Sequence, residues 1–358
     1  MADDRVRCQN HHMTVPGYAA PTAKAPLVPF DVPRRDLGPN DVGIDIKFSG
    51  ICHSDIHQAR EEWFTSIFPM VPGHEIAGVV SSVGSAVTRF RVGDRVGVGC
   101  NVGSCGSCPT CKRGEQSYCA VQIAPTYNGY EMDGVTPTYG GYATGIVTDE
   151  RFVFRIPDSL GLDVAAPLLC AGITLYQPLA EWKAGPGVRV GIVGLGGLGH
   201  MGVKIAAAMG AEVTLISHSP SKEADAYALG AQRFLLSSDE AAMKAANASL
   251  DLIVNTASAL TRLDPYLRLL DFDGTMVLVG LPENDLTFSP FSLITHRRRI
   301  SSTNNGGIPQ TQEMLDFCGK HGLGADIELI GFDQVNEAWD RVVASDVKYR
   351  FVLDTSTL

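Results

Sequence analysis

What this 358-residue sequence lacks narrows its function first. No uninterrupted apolar run approaches the length of about eighteen residues that a membrane-spanning helix needs, so no membrane partner is expected. Positive charge is in deficit: 29 Lys and Arg stand against 39 Asp and Glu, for a formal net charge of −10. Without a basic footprint, neither nucleic acid nor an anionic surface is an expected partner. The basic run Arg297-Arg298-Arg299 is read as a solvated face without function. The opening Met1-Ala2-Asp3-Asp4-Arg5 has no basic-then-apolar build, so a cytoplasmic location is expected, with the nine cysteines serving metal or redox roles rather than disulfides. Internal repeats and low-complexity tracts are absent. Hydrophobic residues at 45% and 38 glycines fit a globular chain with many tight turns, and the length calls for two domains.

Chemistry-bearing side chains concentrate between residues 51 and 75. Cys52-His53-Ser54-Asp55-Ile56-His57 is followed, after an apolar run, by Gly73-His74-Glu75. Thiolate and imidazole are ligands that Zn²⁺ prefers, and three such ligands with an exchangeable fourth position make a zinc site able to do chemistry. The third ligand must come from elsewhere. Cys170, in Pro167-Leu168-Leu169-Cys170-Ala171-Gly172, is the candidate, because a thiol in a small-residue turn before a helix start can face a cleft. The competing reading makes it a buried core cysteine. Alternating runs at Val42 to Phe48, Ile76 to Val83 and around Arg95-Val96 read as strands, so the setting is an all-β body with these ligands on its loops.

Cys105, Cys108, Cys111 and Cys119 follow at the spacing C-x2-C-x2-C-x7-C. Four thiolates on one short loop can surround a tetrahedral zinc ion and leave no open position, which defines a structural site. Two disulfides or an iron–sulfur cluster are the rival readings. Cys100 reads as a strand or pocket-wall residue, and Cys8 and Cys318 have no partner at ligand spacing.

From Asp163 the apolar period becomes helical. Val188 to Val193 is then a buried-strand run, followed by Gly194-Leu195-Gly196-Gly197-Leu198-Gly199 and a helical stretch from His200 to Met209. Strand before and helix after make this G-x-G-x-x-G a dinucleotide turn, in which the exposed N–H groups and the helix dipole favour a pyrophosphate. The next strand, Glu212 to Ile216, ends in Ser217-His218-Ser219-Pro220-Ser221-Lys222 without the carboxylate that an NAD site places there for the ribose 2′-hydroxyl. Hydroxyls, an imidazole and a lysine suit a 2′-phosphate, so the expected cofactor is NADP(H). Further strands at Leu252 to Asn255 and Met276 to Gly280 complete a parallel, doubly wound sheet. Beyond residue 304 come a helix around Met314 to Phe317, a strand near Ile327 to Ile330, a helix around Val335 to Val343 and a strand at Tyr349 to Leu353.

Taken in order, these motifs resemble the zinc-dependent medium-chain alcohol dehydrogenases, specifically the cinnamyl alcohol dehydrogenase branch and its bacterial broad-range NADP-dependent aldehyde reductases. Gly50-Ile51-Cys52-His53-Ser54-Asp55, Pro72-Gly73-His74-Glu75, the four-cysteine lobe, Ala166 to Thr174, Gly194 to His200 and Thr311 to Cys318 carry the likeness. It implies an α/β chain in which a GroES-like β-rich catalytic domain (1–169 and 305–358) flanks a Rossmann domain (170–304), with two zinc ions per chain and a homodimer. It further implies that Cys52, His74 and Cys170 bind a catalytic zinc that Glu75 can approach, that Asp55 orients His74, and that Cys105, Cys108, Cys111 and Cys119 hold the structural ion. Thr174, Thr256, Gly280, Thr303, Asn304 and Asn305 fall where the family contacts its cofactor. The implied reaction interconverts primary alcohols and aldehydes, with Ser54 and His57 carrying the proton.

Two departures bear on the substrate. Asn304 and Asn305 replace an apolar pair, which favours a polar substrate or a bond to the nicotinamide carboxamide, and Pro125, near a position where plant relatives hold a large aromatic, weakens assignment to cinnamyl substrates. The alternatives are a specific polyol or secondary-alcohol dehydrogenase and, from another class, a non-catalytic NADPH-binding redox sensor.

Overall fold

Runs of Val, Ile and Leu bounded by glycine build two large sheets, each with its own apolar cluster and a further one joining them. The computed structural model describes residues 13–282 and 284–358, so the reading of Cys8 lies outside the described residues. The six-stranded sheet runs, edge to edge, Arg233–Leu236, Glu212–Ser217, Arg189–Val193, Leu250–Asn255, Leu270–Leu278 and Arg299–Ser302. Every pairing in it is parallel. Its central strands carry apolar residues on both faces, as helices on either side require: Val190, Ile192, Leu252 and Val254 are buried on one face, Val193 and Ile253 on the other. The order of the strands reverses between Arg189–Val193 and Leu250–Asn255, and in such sheets the crevice at the carboxyl ends beside the reversal takes the ligand.

The seven-stranded sheet draws on both ends of the chain. Asp41–Gly50 pairs antiparallel with Ile76–Val83, Gly145–Asp149 and Arg350–Asp354, and Ile327–Ile330 joins beyond the last of these. A continuous cluster of buried side chains links Phe154 and Leu168, beside this sheet, to Ile192, Met201 and Leu252 of the other, so the groove between the sheets has a packed floor.

The helix and strand positions expected from periodicity recur: Gly199–Ala208 after the glycine turn, Ile308–His321, Ile327–Ile330, Val335–Val343 and Arg350–Asp354. The basic run is corrected. Arg298 is buried and donates to the carbonyls of Leu270 and Ser292, while Arg297 and Arg299 pair with Asp273. This run is therefore a structural clasp on the strand that precedes it. Cys318 is fully buried against Met314, as a small apolar residue would be. No single helix among the described residues is long and apolar enough to cross a membrane.

Candidate active site

The helix His53–Ala59 starts immediately after Cys52, and Asp55, its third residue, reaches back to accept the Cys52 backbone N–H at 3.0 Å. That local bond fixes Cys52 at the helix mouth. The other carboxylate oxygen of Asp55 accepts the Gly73 N–H at 3.1 Å and meets His74 Nδ1 at 3.0 Å, which leaves Nε2 of His74 for a metal. Cys170 arrives from the kink between the turn Ala166–Leu169 and the helix Ala171–Glu181. Its sulfur lies 3.8 Å from that of Cys52.

Ligand atoms of Cys52, His74, Glu75 and Cys170 all lie within 4.8 Å of one another, and all four residues are buried. Two sulfurs bound to one tetrahedral zinc at about 2.3 Å would sit roughly 3.8 Å apart, so the spacing fits a shared ion. The electrostatics fit too. The Cys170 thiol holds the Cys52 thiol well below its ordinary range, while Cys170 itself is pushed up by its bonds to Cys100 and Cys52. Burial alone would lower His74, but the Asp55 carboxylate, with Cys100 and Cys52, raises it well above the usual imidazole range. A dication here would take the place of the protons that Cys170 and His74 hold without it. Glu75 is ion-paired with Arg350, and its other oxygen has no hydrogen-bond partner among the described residues.

The other four cysteines also converge. Sulfur separations are 3.9 Å for Cys105 and Cys111, 3.8 Å for Cys108 and Cys119 and 3.3 Å for Cys105 and Cys119. These are metal-ligand spacings, far from the bond length of about 2.05 Å that a disulfide requires. The Thr110 hydroxyl lowers the Cys108 thiol to about 5, and burial raises Cys111 to about 11.

A cleft of about 830 Å³ opens beside Cys52 and runs along the carboxyl ends of the parallel strands. It is lined by Ser54, His57, Gly194, Leu195, Gly196, Gly197, Leu198, Ser217, His218, Ser219, Lys222, Thr256 and Gly280, so one groove gathers most of the residues singled out in the sequence. Gly199 lies behind it: a Cβ there would run into the Gly194 carbonyl oxygen, so its task is to bring helix and strand together. Thr174, Thr303, Asn304 and Asn305 are not among the residues lining this groove. Asn305 lines a small cavity with Cys100, and Asn304 gives its backbone N–H to Tyr118.

Sequence reasoning missed several participants. Arg350, in the groove wall, pairs with Glu75 across 275 residues; a lone cation inside an apolar strand was the available signal. Glu62 binds His57 Nδ1, and Trp63 stacks on the same ring at 4.7 Å. Tyr142, fully buried, donates to Asp55 at 3.3 Å and receives the Trp339 indole N–H at 3.4 Å. Tyr127 stacks on His74 at 5.7 Å.

Comparison with known proteins agrees with this geometry. Residues 38–158 match the model of the alcohol dehydrogenase GroES-like domain and residues 197–320 that of the zinc-binding dehydrogenases. NADP-dependent alcohol dehydrogenase C of Mycobacterium tuberculosis is 55% identical over 345 residues, 96% of this chain and 99% of that protein. The aldehyde reductase YahK of Escherichia coli is 51% identical over 350 residues, 97% and 99% of the two chains. The solved structure of a cinnamyl alcohol dehydrogenase from Sorghum bicolor superposes with a TM-score of 0.93 at 46% identity, covering 96% of this chain and 98% of that one. With both domain families matched in order and identity above one half along almost the whole length, the chain belongs to the zinc-binding, GroES-like alcohol dehydrogenases.

Proposed function

We propose that the chain is a zinc-dependent NADP(H) alcohol dehydrogenase, acting as an aldehyde reductase on primary aldehydes and their alcohols. One observation carries this reading: Cys52 and Ser54, at the mouth of the buried Cys52, His74, Cys170 cluster, line the same groove as the Gly194 to Leu198 turn. A carbonyl held there would meet metal and nicotinamide at once. The printed names of the two relatives, an NADP-dependent alcohol dehydrogenase and an aldehyde reductase, point the same way.

When bound, zinc supplies Lewis acidity at the substrate oxygen and NADP(H) supplies or accepts the hydride. This chain's residues do the rest. Cys52, His74 and Cys170 hold the ion, and Asp55 fixes the His74 ring. Arg350 holds Glu75 by one carboxylate oxygen, which would leave the other to approach the ion. Ser54, whose hydroxyl lies 3.5 Å from the Cys52 sulfur, gives a proton to the substrate oxygen or takes one from it. His57, with Nδ1 engaged by Glu62, has Nε2 left to pass that proton toward the open groove. Ser217, His218, Ser219 and Lys222 bond a 2′-phosphate, and Cys105, Cys108, Cys111 and Cys119 hold the second ion.

Residues 1–169 and 305–358 form the catalytic domain around a cofactor domain of 170–304, a division supported by the sharing of one sheet between the two chain ends. The chain is a homodimer: Arg299–Ser302 is an edge strand, and Leu281, Phe288, Phe291 and Ile294 lie exposed near it. It works in the cytoplasm, since both clusters need reduced thiols and none of the eight described cysteines is in a disulfide.

A panel of aldehydes and alcohols assayed with NADPH and NADH, alongside metal analysis, tests the reading. The expected result is two zinc ions per chain and aldehyde reduction that favours NADPH. Metal-replete protein that turns over no aldehyde would overturn it.

A further inference from the structure

In the spacing C-x2-C-x2-C-x7-C, the last spacer, residues 112 to 118, is longer than a metal loop requires. Its second half is occupied elsewhere. The Tyr118 hydroxyl accepts the backbone N–H of Asn304 at 2.7 Å, 186 residues along the chain, and lies 3.2 Å from Thr303 Oγ1. Ser117 Oγ donates to the Gly306 carbonyl at 3.1 Å. Gln116 Oε1 accepts the Ile308 N–H at 2.9 Å, and Gln310 Nε2 donates to Glu115 Oε1 at 2.7 Å. A Cβ on Gly307 would run into the Gly114 carbonyl oxygen, so the two backbones touch. Gly114, Glu115, Gln116, Ser117 and Tyr118 thus each engage the stretch 303–310.

That stretch leads from the last strand of the parallel sheet, Arg299–Ser302, into the helix Ile308–His321. Thr303 also donates to Gln177 on the helix that begins after Cys170, and Asn305 lines a cavity with Cys100. It therefore stands between the sheet that carries the cofactor groove and the Cys52, His74, Cys170 cluster.

We propose that the four-cysteine lobe is a brace for residues 303–307, with Tyr118 as the positioning residue through which it sets cofactor affinity. The proposal rests on the NADP(H) reading above; none of Thr303, Asn304 and Asn305 lines the groove, so the brace acts on it through the strand Arg299–Ser302 that leads into this stretch. A loop pinned at Cys111 and Cys119 by metal–thiolate bonds has little conformational freedom left to lose, so its side chains hold their partners at small entropic cost. Released from the metal, the same loop must be ordered again whenever the stretch is held. Binding weakens while the hydride step, which the lobe does not touch, is spared.

The test uses the full-length, zinc-loaded protein and Tyr118→Phe, which keeps the ring and removes the hydroxyl. Both ions should stay bound. Amide exchange in 303–307 should accelerate about three- to tenfold, the usual yield of one lost hydrogen bond, and the NADPH dissociation constant should rise by a similar factor with kcat changed less than about twofold. Cys119→Ser, which removes a ligand, should leave one ion per chain and move both readouts further in the same direction. Exchange in 303–307 equal to wild type in Tyr118→Phe overturns the brace, and so does faster exchange with unchanged NADPH affinity. Exchange is read without turnover, so a protein inactive on every aldehyde would refute the proposed reaction and leave the brace to be judged on exchange alone.

Discussion

Asp55 is the residue on which the metal cluster turns. Its two oxygens meet Cys52 N–H, Gly73 N–H, His74 Nδ1 and the Tyr142 hydroxyl, so the same carboxylate sets the helix mouth, the ligand ring and the loop before Ile76–Val83. Asp55→Asn keeps the size and removes the charge. The expected outcome is a loss of about 10- to 100-fold in affinity for the ion at Cys52, His74 and Cys170, measured by chelator competition, with the four-cysteine ion unaffected. Equal affinities in variant and wild type would show that the carboxylate does not orient the ligand. Cys52 and His74 were legible in the sequence because their donor chemistry speaks for itself, and Asp55 through the family resemblance. Tyr142 and Trp339 were not, since an aromatic in an apolar context reads as core, and only folding shows that its polar tip meets a carboxylate.

Two elements around the glycine turn carry separable predictions. The second residue of the helix Gly199–Ala208 is His200, which is fully buried and stacked on Tyr349 at 5.0 Å. Its Nε2 accepts the Asp326 backbone N–H at 3.3 Å and its Nδ1 faces the Gly196 carbonyl at 3.3 Å, a pattern that needs a neutral ring. Burial lowers its pKa to about 4. The unfolded chain, with an ordinary value near 6.5, therefore binds this proton between about pH 6.5 and 4 while the folded chain does not. Stability is full above that window and falls as pH drops through it, by up to about 3 kcal/mol. His200→Gln, whose amide can make both bonds, should flatten the slope of the unfolding midpoint over this range; an unchanged slope would assign the loss to other groups.

The turn after Glu212–Ser217 is where the proposed preference for NADPH would be set. Lys222 lines the groove, with its ammonium 5.5 Å from the Tyr349 ring. Lys222→Ala should raise the KM for NADPH about tenfold and leave that for NADH nearly unchanged, because only the former carries the extra phosphate. A parallel rise for both would mean the lysine acts on the shared part of the cofactor. The motif and the missing acidic residue made this turn readable from sequence. The hold of 114–118 on 303–310 was not, because no periodicity reports which distant backbone a polar loop will meet.

At the scale of the molecule, the proposed dimer would cover the exposed Phe291 and Ile294 and the side of Arg299–Ser302 that no described strand pairs. The paired substitution Phe291→Glu with Ile294→Glu should shift the protein from dimer to monomer in light scattering, with both metal sites still filled; a wild type already monomeric would end the idea. The strand Arg350–Asp354 lies within the seven-stranded sheet between Ile327–Ile330 and Asp41–Gly50, and it brings Arg350 to Glu75. During synthesis the nucleotide-binding sheet is complete once Ser302 has emerged, whereas the other sheet keeps a gap in it until residues 350–354 have followed. Ribosome-bound chains stopped short of residue 350 should thus resist protease over 189–302 and be cut within 41–98, so truncation ahead of that strand leaves the coenzyme sheet formed while Glu75 lacks its Arg350 partner.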